Sequence, residues 1–242
     1  MPTESGDLKL LGNYRKLIDL VSADANYNPA NAAIDKAALA AHYTASQATV
    51  DDVSAKHAPS KMATSDRQAA YEPLSGLMRR SFNMLKASGA PQGVLDDAQT
   101  HLRKVIGTRK SPKISDDEAT QGSEGAKQQS ASQMSFENRR GNVAAYVAIL
   151  ANVPSYNPNE NDLKVASLQA LAANLDAKNS AVSAAYAPLS QARGVRDGML
   201  YLNDDSMVSR AALVKAYVQA AFGRDSQLFK QIKGLDFRRP NR

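Results

Sequence analysis

The sequence predicts an all-α protein made of two tandem, related bundles of about four helices each, on three observations. Tyr27-Asn28-Pro29 recurs as Tyr156-Asn157-Pro158, and each copy closes a short apolar segment and opens a long alanine-rich one. Apolar residues between the breaks recur at helical spacing rather than alternating. With no Trp and 6% aromatics, the 43% of hydrophobic residues are mostly Ala, Leu, Val and Ile, a composition suited to close helix contacts.

The elements follow in chain order. Leu10, Leu11, Tyr14, Leu17, Ile18 and Val21 keep one helical face and place a first helix at about 8–23. Asp24 to Pro29 breaks it. Proline holds Asn28 extended and has φ preset for a turn or a first helical position, so the tripeptide reads as a loop feeding the next helix. A second helix starts near Asn31, carries Ile34, Leu39, Tyr43, Val50 and Val53, and is expected to stop at His57-Ala58-Pro59. Tyr71-Glu72-Pro73-Leu74-Ser75 opens a third, with Leu77, Met78, Phe82 and Leu85, and Gly89-Ala90-Pro91 ends it. A fourth at about 92–106 uses Val94, Leu95, Ala98, Leu102 and Val105 and stops at Gly107.

Residues 108–135 change character. Ile114 is the one large aliphatic residue in a run of Ser, Gln, Gly and charge, and such a stretch reads as a flexible polar linker. The domains expected are therefore 1–107, a first helical repeat, and 136–242, a second with a basic tail.

In the second half, Gly141-Asn142 follows Gly12-Asn13 at a separation of 129, as do the two Tyr-Asn-Pro copies, Ile34 with Leu163, and Leu39 with Leu168. Further on, Tyr71-Glu72-Pro73-Leu74-Ser75 matches Tyr186-Ala187-Pro188-Leu189-Ser190 at 115, together with Leu85 and Leu200. The difference, 129 − 115 = 14, is two heptads, and the phase-preserving insertion in the first half is placed near Pro59. Leu168, Leu175, Val182 and Leu189 repeat by seven, with Val165, Ala172 and Tyr186 between them, as the seam of a long helix. Pro188 should kink or break that helix near 184–188. A last helix at about 206–222 ends at Gly223, and a tail carries Leu228, Phe229, Ile232 and Phe237.

Ser132 to Arg139 (SQMSFENR), Tyr-Asn-Pro-Asn-Glu, a Leu-Gln-Ala-Leu helix, Tyr-Ala-Pro-Leu-Ser and the terminal Lys-Gln-Ile-Lys-Gly-Leu-Asp-Phe carry a resemblance. The chain resembles uncharacterised duplicated helical-bundle proteins of Bacteroidota-type bacteria. The resemblance covers the second half closely and the first loosely. It implies the architecture and a bacterial cytosolic origin, and it transfers no activity and no site residue.

Chemistry is sparse. Without cysteine there are no disulfides, thiolate ligands or thiol nucleophiles. His42, His57 and His101 stand in no ligand spacing such as HExxH and read as solvent-facing. Gly194-Val195-Arg196-Asp197-Gly198 has no preceding strand and no phosphate-loop lysine, so no cofactor, metal or catalytic residue is expected. The adjacent aspartates at 51–52, 96–97, 116–117 and 204–205 would point apart on a helix, which disfavours acid–base work, and those at 96–97 and 204–205 sit near predicted helix starts, where capping and the helix dipole explain them. The two Tyr-Asn-Pro copies, Tyr27, Asn28, Pro29, Tyr156, Asn157 and Pro158, are expected to fix turns rather than to form a pair of binding spots.

Net charge is +6: 12 basic against 11 acidic residues in 1–107, six against five in 108–140, and 12 against eight in 141–242. The leading expectation is a non-catalytic scaffold or interaction module that presents helix faces to a protein partner or to itself. The alternative is a basic accessory protein holding nucleic acid without sequence preference, through Arg79, Arg80, Arg193, Arg196, Arg238, Arg239 and Arg242. No window approaches the roughly 20 apolar residues of a membrane span, and the polar start lacks a signal-peptide pattern, so a cytoplasmic protein with no membrane partner is expected.

Overall fold

The computed structural model describes residues 4–108 and 134–238. The expected linker lies almost wholly outside them. All regular structure among the described residues is helical: α1 (Glu4–Ala23), α2 (Lys36–Tyr71), α3 (Leu74–Ala87), α4 (Gln92–Ile106), α5 (Phe136–Ala151), α6 (Val165–Asp197), α7 (Met207–Phe222) and α8 (Gln227–Lys233). Short 3₁₀ turns at Ala32–Ile34 and Asn161–Leu163 precede α2 and α6, and one wide π-helical turn, Gly198–Leu202, follows α6.

These elements form two compact units, and neither coincides with a half of the sequence. The terminal unit takes Met1–Ser60 and Ala185–Arg242; the central unit takes Lys61–Ala184. Helix α2 thus gives residues 36–60 to one and 61–71 to the other, and α6 gives 165–184 to the central unit and 185–197 to the terminal one.

In the terminal unit, the predicted stripe of α1 is the core face: Leu10, Leu11, Tyr14, Leu17, Ile18 and Val21 are all buried. They pack with Leu39 of α2 and with Leu200, Val214 and Ile232 from the far end of the chain. Helix α1 lies against α7 and α8, and α7 also touches the first 3₁₀ turn. Asp24 Oδ1 accepts from Asn26 N at 2.9 Å and stops α1. Ser206 and Ser226 cap α7 and α8 by accepting from Ser209 N and Phe229 N.

The central unit is built on α5 packed against α4, with α3 touching α4 and the second 3₁₀ turn. Leu74, Met78 and Leu102 from the first half meet Val147, Leu150 and Leu175 from the second. Both expected helix ends, at Ile106 and at Phe222, are observed, each followed by a glycine of positive φ.

The helix end expected at Pro59 needs correction, and so does a break at Pro188. Helix α2 runs through Pro59 and α6 through Pro188. A proline deprives the carbonyl four residues earlier of its donor. Here those residues, Ala55 and Ala184, are exposed, as are both prolines, so water can take the freed carbonyls. The 14-residue difference between the halves therefore lies inside a continuous helix: α2 reaches Tyr71 from Lys36, while α6 reaches the matching Tyr186 from Val165. The seam of α6 is also partial, since Leu168, Leu175 and Leu189 are buried but Tyr186 is 51% exposed.

The π turn is a second irregularity: Asn203 N donates to Gly198 O at 3.0 Å, a bond spanning five residues. The first half leaves its matching helix differently, through Gly89 at φ 72°.

Candidate functional site

Both Tyr-Asn-Pro copies do the same local work. Tyr27 Oη donates to Ile34 O at 2.8 Å, and Tyr156 Oη donates to Leu163 O at 2.8 Å. Each bond reaches seven residues forward, across the proline and onto the last residue of the 3₁₀ turn. Both rings are buried, and burial raises both phenol pKa values, so the hydroxyls remain donors. Pro29 and Pro158 set the entry of the chain and the tyrosine ties it down, which is a turn-fixing role.

The seven candidate arginines do not behave alike. Arg79 is exposed in the central unit, and Arg80 there pairs with Asp162 at 2.6 Å. In the terminal unit Arg193 is half-buried and Arg238 pairs with Asp236 at 3.0 Å. Arg239 and Arg242 lie outside the described residues. Arg196 corrects the expectation of a surface phosphate contact: its side chain is 6% exposed.

Arg196 instead anchors a buried polar cluster. Its Nη1 lies 3.1 Å from Asp7 Oδ2 and its Nη2 2.8 Å from Asp197 Oδ1, while Tyr201 Oη donates to Asp7 Oδ1 at 2.6 Å. Asp7 is 1% exposed. Burial first, and then the hydrogen bond to Asp7, raises the Tyr201 pKa, which keeps the hydroxyl protonated as a donor. The cluster thus joins the start of α1 to the end of α6 and the π turn. A signal for it was present in the sequence. Arg196 continues the face Leu189, Ala192, Leu200, and Asp7 continues the face Leu11, Tyr14, Ile18, so both charges stand at core-facing spacing.

Asp7, Arg196 and Tyr201 are each flanked in the chain by an exposed apolar residue. Leu8 follows Asp7 and is 63% exposed; Val195 precedes Arg196 and is 55% exposed; Leu202 follows Tyr201 and is 44% exposed. Val195, half-buried Met199 and Leu202 are spaced by four and three, over about two turns. The buried cluster therefore ties together the three elements of one unit that carry these solvent-facing aliphatic groups, α1, α6 and the π turn.

No protein-family model, curated protein or solved structure matches this chain.

His42 also departs from its expected solvent position. It is 7% exposed, with Nδ1 3.4 Å from Ser46 Oγ and its ring edge-on to Tyr14 at 5.9 Å. Burial, and then the Arg210 guanidinium, lowers its pKa. Ser46 is fully buried as well, so the pair has no open face for a substrate.

Each unit carries a surface cleft among its described residues. In the terminal unit a cleft of about 420 Å³ lies between α7 and residues 233–238, lined by Val208, Lys215, Lys233 and Phe237 among others. Lys215 Nζ donates to Leu235 O at 2.6 Å and Lys233 O at 3.4 Å and sits over the Phe237 ring. Burial lowers its pKa, and its donors serve the carbonyls at the end of α8. In the central unit a cleft of about 310 Å³ is bounded by Val94, Ala148, Ile149, Asn152 and Val153. Among the described residues, no group of three or more His, Asp or Glu side chains is placed to hold a metal ion, and no helix is long and apolar enough to cross a membrane.

Proposed function

We propose that the chain is a non-catalytic helical interaction module of the cytoplasm, built by internal duplication, that engages a protein partner or a second copy through the apolar face at Leu8, Val195 and Leu202. The observation that carries this reading is the exposure of these three side chains around the buried Asp7–Arg196 pair. Exposed aliphatic groups held on ordered backbone lose little entropy on binding, which favours protein contact. The polar groups next to them in the chain bond one another rather than facing solvent, and so fix the elements that carry the three side chains.

A photo-crosslinking residue at Val195, with exposed Ser190 as control, tests the reading in cells expressing the chain. Discrete protein adducts from position 195 and not from 190 are expected. Adducts that disappear on nuclease treatment would transfer the reading to nucleic acid, and equal adducts from both positions would refute a defined face.

A further inference from the structure

We infer that the two halves of the sequence are binding partners of one another: residues 1–108 and 134–238 form a complex that does not depend on the connector between them. The inference comes from which elements share a core, unit by unit.

In the terminal unit, α1 of the first half packs on α7 and α8 of the second. Polar bonds follow the same division. Asp7 takes Arg196 and Tyr201, Arg210 donates to Ala33 O, and Asn13 Nδ2 donates to Asp236 O at 3.0 Å. Remove the second half, and the buried stripe of α1 loses Leu200, Val214 and Ile232 from its core.

The central unit repeats this with the halves exchanged. There α5 of the second half packs on α4 of the first. Ser81 Oγ from the first half bonds Tyr146 Oη at 3.1 Å and Tyr156 Oη at 3.0 Å from the second. Arg139 Nε donates to Val105 O at 3.0 Å, His101 Nδ1 meets Asn142 Oδ1 at 3.1 Å, and Lys178 pairs with Asp66 at 3.0 Å.

Each half therefore supplies about half of two separate hydrophobic cores. A helix with one apolar stripe must bury it to be stable, and neither half can do so for its own first helix. Two separate interfaces between the same pair of chains also reinforce each other, because the first to form raises the local concentration for the second. Covalent continuity through the connector adds little to an association already doubled in this way.

The test cuts the folded full-length protein. A site for a sequence-specific protease is inserted between Gly122 and Ser123, and the uncut protein serves as control for helicity and mass. After complete cleavage, the sample is diluted to about 1 μM and passed over a sizing column with light scattering, and its circular dichroism is recorded. The expected result is one peak containing both fragments at close to the 25.9 kDa of the intact chain, with helicity unchanged. Two separate fragment peaks, or loss of helicity on cutting, would overturn the inference.

Discussion

The two units solve one packing problem with different polar chemistry. Position 81 in the central unit and position 196 in the terminal unit correspond at the separation of 115, and both are buried. Ser81 shares its hydroxyl between two tyrosines, whereas Arg196 pairs with Asp7 and Asp197. Two positions matched in the sequence thus carry a neutral network in one unit and an ion pair in the other, each with its own partners. Phe136, the counterpart of Asp7 at a separation of 129, packs edge-on to Tyr71 in the central unit and completes the contrast.

The largest effect that can break this comparison is at position 196. Arg196→Ala strands a buried aspartate and should cost about 3–5 kcal/mol in urea unfolding. Ser81→Ala removes neutral hydrogen bonds and should cost about 1–2 kcal/mol. Equal losses at the two positions would show that the charges add nothing to the frame.

The glycines after α4 and α7 sharpen it next. Gly223 has φ 84° and ψ 161°, a region open essentially to glycine alone, and Gly223→Ala should cost about 1–3 kcal/mol. Gly107, at φ 78° and ψ 19°, is left-handed helical, and Gly107→Ala should cost about 1–2 kcal/mol. Thermal unfolding of the two variants under one condition gives the order.

Where the units agree, the effects should agree. Tyr27→Phe deletes a hydroxyl donor to the carbonyl seven residues on and should cost about 1–2 kcal/mol; Tyr156→Phe also loses the bond to Ser81, so it is compared within the Ser81→Ala background, where the same cost is expected. Denaturant midpoints that differ widely would mean that the two loops are not equivalent.

The smallest effect is a pH dependence confined to the terminal unit. The folded pKa of His42 is lowered, so the unfolded chain binds its proton first as pH falls. Stability contributed by neutral His42 is present above the unfolded value of about 6.5 and is lost below it, toward the folded pKa. Arg210 opposes the charge and Asp205 favours it. His42→Asn should flatten the stability profile below about pH 6.5 relative to the parent.

Much of the helical pattern was legible. The stripe of α1, the ends of α4 and α7 at glycines, and the turn role of Tyr27 and Tyr156 follow from spacing and from proline and glycine chemistry alone. Pro59 and Pro188 were misleading because a proline breaks a helix only when the freed carbonyl finds no substitute, and exposure at Ala55 and Ala184 is a tertiary fact. The charge of Arg196 suggests a surface contact, whereas its place on the Leu189–Ala192–Leu200 face points inward. His42 was read as solvent-facing for want of a ligand motif, but its surroundings are set by Tyr14 and Arg210, residues remote in sequence. The partition into units was least legible, since a duplicated pattern shows which elements correspond and is silent on whether each packs with its own half or with the other.

That partition is tested most directly by hydrogen exchange in Leu150→Ala. Leu150 is buried in α5 of the second half, within the core that holds α4 of the first, and truncation should cost about 2–5 kcal/mol. The account predicts that amides of α4 lose more protection than those of α7, even though α7 belongs to the same half of the sequence as Leu150. Faster exchange in α7 with α4 unchanged would contradict it.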